Sequence, residues 1–371
     1  MLKRKDLYNI PGWRTNRHLV VIESDDWGSI RMPSREVYDA FIRRGIPVDK
    51  DPYCRFDSLA TSQDLERLFE VLDSVRDKNG NPAVITANTL SANPVFDKIA
   101  ESGFEQYFYE PFTETLKRDE RHTNSFSIWT QGMQSGVFHP QSHGREHLNV
   151  KKWLKALRSN HPSTRIAFEL GTWGLTQKID PTIELYYMGA FDSGLKEDLI
   201  GQGEIITDGL RMFEDIFGFV SRSFIATTYT WSPAIEPELV KNGVKYIQGT
   251  VIQKIPRSDN RIKKCWNGFQ GTRSKAGLVR LMRNCFFEPS ISPQHDYISD
   301  CLLRVETAFK WKKAANICAH RVNFIGSVDS SNTDRTLPLF KQLLQRIVSL
   351  WPDVEFVTSD QLGDIITASK R

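Results

Sequence analysis

The sequence lacks any run of about 18 uncharged apolar residues, the length that a helix needs to span a bilayer, so we expect no membrane span. It also lacks a long basic run, and a formal net charge of +4 is small for 371 residues, which gives no support for nucleic-acid binding. The charged stretch at residues 1–6 is not followed by an apolar segment, a pattern that argues against a secretory signal peptide. We therefore expect a cytoplasmic protein.

Cysteine is scarce, and no two cysteines have the CxxC spacing of a thiolate metal site. The chain contains five, an odd number: Cys54, Cys265, Cys285, Cys301 and Cys318. This usage favours buried free thiols in a reducing compartment over a disulfide framework.

What the sequence does contain is a globular composition, with 40% hydrophobic and 25% charged residues, and an alternation of strand-like and helix-like segments. The predicted strands cover about 18–24, 82–88, 136–140, 165–170, 223–226, 244–247, 315–319 and 354–358. The predicted helices cover about 61–78 and 337–350, and shorter ones begin at Asn149 and Asp360. Strands that alternate with helices predict an α/β fold whose parallel sheet is closed, or nearly closed, into a (β/α) barrel.

The pattern predicts one domain over residues 1–371 without a clear linker. Two stretches, near 104–134 and 253–275, have weak periodicity, and the first is rich in aromatic residues. We expect both to be insertions that shape the rim of a substrate cleft.

Asp25 and Asp26 directly follow the apolar run of the first predicted strand. In an α/β barrel, functional groups lie at the carboxyl ends of strands. Because adjacent side chains point in different directions, one carboxylate can bind a metal ion while its neighbour takes a proton from water. The alternative for an Asp-Asp pair is a solvated turn or a cap for the next helix.

Three of the eight histidines fall close together, at His139, His143 and His147. Both neighbouring pairs have the i, i+4 spacing that lets two imidazoles on a helical turn reach one ion. We favour His143 with His147, because the segment around His139 has the pattern of a strand. Histidines that only pack or face solvent are the alternative.

His320 follows the apolar strand predicted at 315–319 and precedes Arg321. An imidazole with an ordinary pKa near ~6.5 suits a general acid, and this position lets it face a metal from across a barrel. A core histidine bonded to a backbone carbonyl is the alternative.

Taken together, these motifs resemble those of the polysaccharide deacetylase superfamily, that is, carbohydrate esterase family 4 and its relatives. The family's Asp-Asp-Gly motif is similar to Asp25-Asp26-Trp27-Gly28, with Trp27 interposed. The resemblance implies a distorted (β/α)7 barrel with insertions and a divalent metal, usually zinc. It implies that Asp25 is the catalytic base and Asp26 a metal ligand.

The family's His-x-x-x-His motif is met by His143 and His147, which the resemblance makes the other two metal ligands. Its late strand-end histidine is met by His320 as general acid. The end of the chain, from Leu337 to Ile366, also resembles the family's terminal helix, strand and helix.

Two motifs of the family are altered. In place of an Arg-Pro-Pro-Tyr turn the chain has residues 221–231, where the arginine is either lost or moved to Arg222. The resemblance makes the backbone N–H of Tyr229 a candidate oxyanion donor. The late aspartate that tunes the base through an arginine has no match. We expect Arg145 or Arg321 to supply the missing charge.

The resulting functional expectation is a metal-dependent amidase or esterase that removes an acetyl group from a carbohydrate substrate, with a possible place in making a surface polysaccharide. Aromatic side chains, namely Trp27, Trp173 and Trp231, are candidates for stacking on sugar rings, with core packing as the equal alternative.

Two other functions stay open from the sequence. The altered motifs are also compatible with a non-catalytic, metal-retaining carbohydrate-binding protein. A third hypothesis is cleavage of a glycosidic bond by paired carboxylates, for which Glu169 is the best available second carboxylate.

Overall fold

The computed structural model describes residues 8–183, 187–259 and 261–369. The strands are β1 (Leu19–Trp27), β2 (Ile85–Leu90), β3 (Ala92–Pro94), β4 (Tyr109–Pro111), β5 (Phe138–Gly144), β6 (Ser223–Phe224), β7 (Tyr246–Gly249), β8 (Ile252–Pro256), β9 (Ile262–Trp266), β10 (Val279–Met282), β11 (Cys285–Phe286), β12 (Ala315–Cys318) and β13 (Glu355–Phe356). The helices are α1 (Arg35–Arg43), α2 (Pro52–Phe56), α3 (Ser62–Asp73), α4 (Phe96–Glu101), α5 (Phe112–Leu116), α6 (Ser125–Gln134), α7 (Val150–Arg158), α8 (Pro162–Glu169), α9 (Lys196–Phe217), α10 (Glu236–Lys241), α11 (Tyr297–Lys310), α12 (Ser331–Leu350) and α13 (Ser359–Ala368).

A parallel sheet runs in the order β10, β7, β6, β5, β2, β1, β12, β11, and β13 pairs with the start of β1. Strands β10 and β11 are separated only by Arg283 and Asn284. One short stretch of chain therefore pairs with β7 on one side and with β12 on the other, and it brings the two ends of the sheet together. The sheet thus curls into a distorted barrel of seven strand positions, which confirms the fold class predicted from the sequence.

Strand β1 lies inside this sheet, between β2 and β12, and its sequence is apolar on both faces. Leu19, Val20, Val21 and Ile22 are fully buried, as expected for a parallel strand covered on both sides. Val20 pairs with Ala315 of β12, and Ile22 pairs with Ile85 of β2. The carboxyl end of β1 therefore opens at the middle of one barrel mouth.

Most predicted elements are present, with shifted ends. Helix α3 begins after a capping box in which the Thr61 and Asp64 side chains each accept from the other's backbone N–H. It ends at Asp73 rather than near 78, because the chain then turns back in a bridge between Arg76 and Pro82. The cap predicted at Asn149 is confirmed, since its side chain accepts from the backbone N–H of Lys152.

The strand predicted at 165–170 is wrong, because this segment lies in helix α8. Short apolar runs are compatible with either element, and here Pro162 occupies the first helical turn, where proline is favoured. Helices α7 and α8 belong to the long connection between β5 and β6. Their buried side chains pack with Met32, Phe41 and Trp173 in a second apolar cluster beside the barrel.

The single-domain boundaries and the two insertions stay a prediction. Within the stretch 104–134, helix α6 packs on α3 and β5, as a helix of the barrel does. The stretch 253–275 contains most of the antiparallel hairpin β8–β9. In the described residues, no helix combines the length and apolar character required to cross a membrane.

A bulge and a glycine turn shape the end of β1. Ser24 pairs with Ala87 but Trp27 pairs with Thr89, so β1 carries one residue more than β2 at this point. Asp26 within the bulge has a φ of 76°, and Gly28 after it has a φ of 80°. A Cβ on Gly28 would lie 2.4 Å from the carbonyl oxygen of Leu90. The turn that presents the aspartates therefore requires glycine for both its conformation and its space.

We expect Gly28→Ala to lower the free energy of unfolding by about 3 kcal/mol or more, because it adds a steric clash to an unfavourable φ. Gly80→Ala is the matched control: Gly80 has the same φ of 80°, but apart from Gly80 and its chain neighbours no described residue has an atom within 4 Å of its Cβ position. The control should lower the free energy of unfolding by only ~1–2 kcal/mol, the cost of placing alanine in the left-handed conformation. Urea unfolding measures both, and equal losses would contradict the close approach to Leu90.

Candidate metal centre and catalytic cavity

Side chains from three strand ends meet at the mouth of the barrel. Asp25 and Asp26 come from β1, His143 from β5, and His320 from the residues after β12. Together with His147 they line one cavity of about 350 Å³. Parallel strands bring their carboxyl ends to one edge, which is why residues so distant in sequence converge.

Asp26, His143 and His147 form a compact ligand set. The Nε2 atoms of His143 and His147 each lie 3.5 Å from Asp26 Oδ1, and the three ligand atoms are within 4.8 Å of one another. Asp26 Oδ1 is buried and has no hydrogen-bond partner among the described residues. A buried carboxylate oxygen without a partner is costly, and a cation between it and the two imidazoles removes that cost. The residues present therefore fit a divalent metal ion.

The two imidazoles are prepared for ligation in different ways. The Nδ1 atom of His143 lies 2.9 Å from the carbonyl oxygen of Ile225, which favours the tautomer with a free Nε2. Burial lowers the pKa of His147 to about 3, so its imidazole is neutral. The expected helical turn is not what brings them together, because His143 lies in strand β5 and His147 in the loop that follows.

Asp25 is held by three hydrogen bonds rather than by the ligand set. Arg283 donates from Nη2 to Oδ1 at 2.6 Å and from Nη1 to Oδ2 at 2.7 Å, and Asn88 donates to Oδ1 at 2.7 Å. Burial alone would raise the pKa of Asp25, but the Arg283 guanidinium outweighs burial and holds the pKa well below its usual range. Asp25 is therefore a carboxylate, with lone-pair capacity left on Oδ2.

Arg283 is the arginine that sequence reasoning missed. Its Nε atom donates to Glu23 Oε2 at 2.6 Å, and its Nη1 atom also donates to the phenol oxygen of Tyr229 at 2.7 Å. The other oxygen of Glu23 accepts from Ser359 at 2.8 Å. The available signal was an arginine directly after the apolar residues of β10, in the same kind of position that identified Asp25 and His320.

His320 is oriented by a second carboxylate that sequence reasoning also missed. Its Nδ1 atom lies 2.6 Å from Glu288 Oε1, and its Nε2 atom lies 3.7 Å from Asp25 Oδ2. Burial on its own lowers the pKa of His320, but the Glu288 carboxylate outweighs it and raises the pKa well above its usual value. Asn323 donates to the other oxygen of Glu288 at 2.7 Å, which anchors the pair.

Two further cavity residues come from the segments after β1. Arg31 is 5% exposed, its Nη2 atom lies 3.6 Å from Asp26 Oδ2, and its Nε atom has no hydrogen-bond partner in the part of the chain that the structure describes. The phenol of Tyr53 lines the cavity beside His320, with the two rings 5.5 Å apart, and burial raises its pKa well above 10.0. Both therefore present hydrogen-bond donors near the ligand set.

Tyr229 lines the cavity, but its backbone N–H is already used. That N–H donates to the carbonyl oxygen of Ala226 at 3.1 Å, within a short turn of 3-10 helix. Thr228 and Tyr229 both have a φ of 56°, an unfavourable conformation for residues other than glycine. The structure therefore does not offer the expected oxyanion donor at this position.

The two arginines considered as substitutes for the missing charge lie elsewhere. Arg145 pairs with Glu146 at 2.6 Å and with Asp208 at 3.1 Å. Arg321 is fully buried and makes two hydrogen bonds to Asp57, at 2.9 and 3.0 Å. Neither contacts Asp25, because Arg283 occupies that position.

The candidate stacking residues are packed in the interior. Trp27, Trp173 and Trp231 are each 1% exposed. Trp27 packs against Phe138 with ring centroids 4.9 Å apart, and the Trp231 indole donates to Glu236 at 3.1 Å. Buried rings leave no face for a sugar, so the expected stacking on these residues is not supported.

Glu169, the carboxylate considered for glycosidic cleavage, lies at the end of α8 and pairs with Arg44 at 3.1 Å. Its side chain is 61% exposed, and it is not among the residues of the cavity.

The five cysteines are free, as expected, and the Cys318 sulfur accepts from Arg283 Nη1 at 3.1 Å.

No family model matches the chain and no curated protein matches it. Solved structures do match. A protein described as a glycoside hydrolase or deacetylase, from Parabacteroides distasonis, matches with a TM-score of 0.50 and 9% identity, over 95% of this chain and 72% of that one. A protein described as a polysaccharide deacetylase, from Mycobacterium smegmatis, matches with a TM-score of 0.46 and 11% identity, over 97% of this chain and 94% of that one.

A third match is the 4-alpha-glucanotransferase from Thermococcus litoralis, with a TM-score of 0.48 and 8% identity. The match covers 94% of this chain but 40% of the glucanotransferase. At identities this low the likeness concerns the fold. It confirms the expected resemblance at that level: the chain has the distorted α/β barrel of the polysaccharide deacetylase type.

We expect Arg283→Gln to lower the free energy of unfolding by about 3–5 kcal/mol, because it leaves the buried carboxylates of Glu23 and Asp25 without their cation. The control is Arg222→Gln, which removes an arginine that pairs with Asp360 and Asp364 but is one-third exposed. We expect this variant to lower the free energy of unfolding by about 1 kcal/mol or less. Chemical denaturation measures both variants. A loss for Arg283→Gln no larger than the control's would contradict the assigned ion pairs.

Proposed function

We propose that the chain is a metal-dependent hydrolase that removes an N- or O-acetyl group from a carbohydrate. One observation carries the proposal: the unpartnered Asp26 Oδ1 faces the Nε2 atoms of His143 and His147, while Asp25 and His320 face the same cavity. This arrangement combines a ligand set with a separate base and acid, which is what metal-assisted hydrolysis of an acyl group requires.

Asp26, His143 and His147 would hold the ion. One carboxylate and two imidazoles are the donor set of catalytic zinc sites, so zinc is the ion we propose. When bound, such an ion polarises the acyl carbonyl and lowers the pKa of water.

Asp25 would take the proton of the attacking water. Three hydrogen bonds fix its orientation, and Oδ2, which accepts only from Arg283, points toward His320. The low pKa keeps Asp25 ionised, so the carboxylate is ready to accept a proton whenever substrate is present. Arg283 thereby acts through Asp25, as a positioning residue.

His320 would donate a proton to the departing amine or alcohol. Its raised pKa favours the imidazolium at neutral pH, and Glu288 holds the ring through Nδ1 so that Nε2 faces the cavity. Tyr53, a neutral phenol beside His320, is the side chain we propose to donate a hydrogen bond to the substrate oxygen that gains negative charge.

The same residues argue against a protein that only binds carbohydrate. Binding through a retained metal needs neither Asp25 nor His320, and it needs still less the buried partners Arg283 and Glu288 that orient them. The maintenance of both pairs favours catalysis. The cytoplasmic location expected from the sequence remains a prediction.

Two substitutions separate metal binding from proton transfer. We expect wild-type protein to release acetate from N-acetylated or O-acetylated oligosaccharides, and Asp25→Asn to lower the rate about 10²–10⁴-fold while retaining one equivalent of metal, because it removes the base but none of the three proposed ligands. His143→Ala should lose both metal and activity. Metal content by elemental analysis and acetate release measure the two effects. Retention of a full equivalent of metal by His143→Ala would contradict the ligand assignment.

We expect Glu288→Gln to move the alkaline limb of the kcat/KM profile to lower pH. Glu288 stabilises the protonated imidazole, so its neutral substitute lowers the pKa of His320 and the acid form is lost earlier as the pH rises. The control is Glu306→Gln, the same change at an exposed position of α11. A pH–rate profile of acetate release tests this, and an unmoved or upward-shifted limb would contradict the role given to Glu288.

A further inference from the structure

The hairpin β8–β9 stands at the edge of the catalytic cavity. It follows β7 directly, at the carboxyl end of the barrel. The carbonyl oxygen of Lys254 accepts from the backbone N–H of Trp231 at 3.1 Å, and Lys254 Nζ donates to the carbonyl oxygen of Thr228 at 3.3 Å. Thr228 lines the cavity, so the hairpin is continuous with its rim.

One face of the hairpin carries an unusual set of side chains. The register pairs Ile252 with Trp266, Lys254 with Lys264, and Pro256 with Ile262, and these three pairs share a face because side chains alternate along each strand. Trp266 is 52% exposed and Ile262 is 44% exposed. This face therefore offers an open indole next to two ammonium groups.

The two lysines are placed against each other without a counter-charge. Like charges at directly opposed positions of an antiparallel pair are destabilising. In the described part of the chain, neither Lys254 nor Lys264 has a carboxylate within ion-pair distance. Burial, and then the charge of Lys264, lower the pKa of Lys254. A bound anion between the two side chains relieves this repulsion.

The charge does not extend evenly over the hairpin. Lys263 has its side chain on the opposite face, since it pairs with Ile255. The arginines near the turn, Arg257 and Arg261, are close to Asp259, at 3.6 and 4.0 Å. The unmatched positive charge is therefore concentrated at the Lys254–Lys264 pair, on the side that leads to Thr228.

We propose that this face, defined by Lys254, Lys264 and Trp266, binds a uronic-acid residue of an acidic carbohydrate chain whose acetylated residue occupies the cavity. The inference rests on the proposed function and names its substrate class. Trp266 is two positions from Lys264 along β9, roughly 7 Å, which one sugar ring and its own carboxylate can span. The ring stacks on the indole, and the carboxylate pairs with the ammonium groups.

A lipid surface fits the same residues less well. Lys254 is only partly exposed and its ammonium lies against Thr228, in the cleft rather than at the tip of the hairpin. A planar membrane meets the tip of a hairpin first, whereas a carbohydrate chain can lie along the cleft.

The test is binding of two oligosaccharides of equal length to the full chain, measured by calorimetry at low salt. One alternates N-acetylglucosamine with glucuronic acid, and the other contains only N-acetylglucosamine. We expect the acidic oligomer to bind at least about tenfold more tightly, and Lys264→Gln to remove about that factor, as loss of a charged hydrogen bond does. Trp266→Ala should weaken the binding of both oligomers, because stacking on the indole does not depend on the charge of the sugar.

Lys263→Gln is the matched control, since it makes the same change one residue away on the opposite face, and it should bind like wild type. Equal affinity for the two oligomers, or equal effects of the two lysine substitutions, would overturn the inference. So would binding to vesicles of anionic phospholipid that exceeds binding to the acidic oligomer. If the acidic oligomer binds and Lys264→Gln weakens this binding, but no acetate is released, the proposed function alone is contradicted. If acetate is released from the acidic oligomer at a rate that Lys264→Gln does not change, this inference alone is contradicted.

Discussion

The ion pair between Arg283 and the carboxylates of β1 is the interaction on which both the barrel and the cavity depend. Arg283 lies in the two-residue gap between β10 and β11, where the sheet closes on itself. From that gap its guanidinium reaches Asp25 and Glu23 of β1 and pairs with both carboxylates. All three side chains are nearly or fully buried. Removing three charged groups from water is costly, and only close, mutually satisfied hydrogen bonds offset that cost.

This constraint links closure of the fold to the state of the proposed base. The hydrogen bonds that join the stretch between β10 and β11 to β1 also keep Asp25 ionised, with its Oδ2 atom 3.7 Å from His320 Nε2. A neutral residue at position 283 would pack the same gap without charge, but it would leave Asp25 buried without a cation and raise its pKa.

The sequence allowed the prediction of the barrel and of the Asp25, Asp26, His143, His147 and His320 positions, because each follows an apolar strand or forms a short local pattern. It did not allow prediction of partners that meet only through the fold. Arg283 follows the apolar residues of β10, but that local signal names no partner, and both Arg283 and Glu288 contact residues far away in sequence. The strand predicted at 165–170 was wrong for a related reason, since a short apolar run does not determine whether a helix or a strand buries it.

The sequence also did not allow prediction of which aromatic side chains are exposed at the cavity rim. Trp27 and Trp231 lie beside motifs of the proposed site in sequence, yet both are buried and pack the barrel. Trp266, in a weakly patterned stretch, is exposed at the rim. Sequence proximity to a motif therefore says little about which face of the chain a side chain occupies.

The balance of charge around the cavity identifies the place for a cation. Asp25 is matched by Arg283, and Asp57 is matched by Arg321, with hydrogen bonds no longer than 3.0 Å. Asp26 is the exception among these three carboxylates: Arg31 lies 3.6 Å from Oδ2, and Oδ1 faces two imidazoles, of which that of His147 is held neutral by burial. A buried carboxylate without a hydrogen-bonded cation is costly, and the two Nε2 atoms beside Asp26 Oδ1 mark the place where we propose that a cation binds.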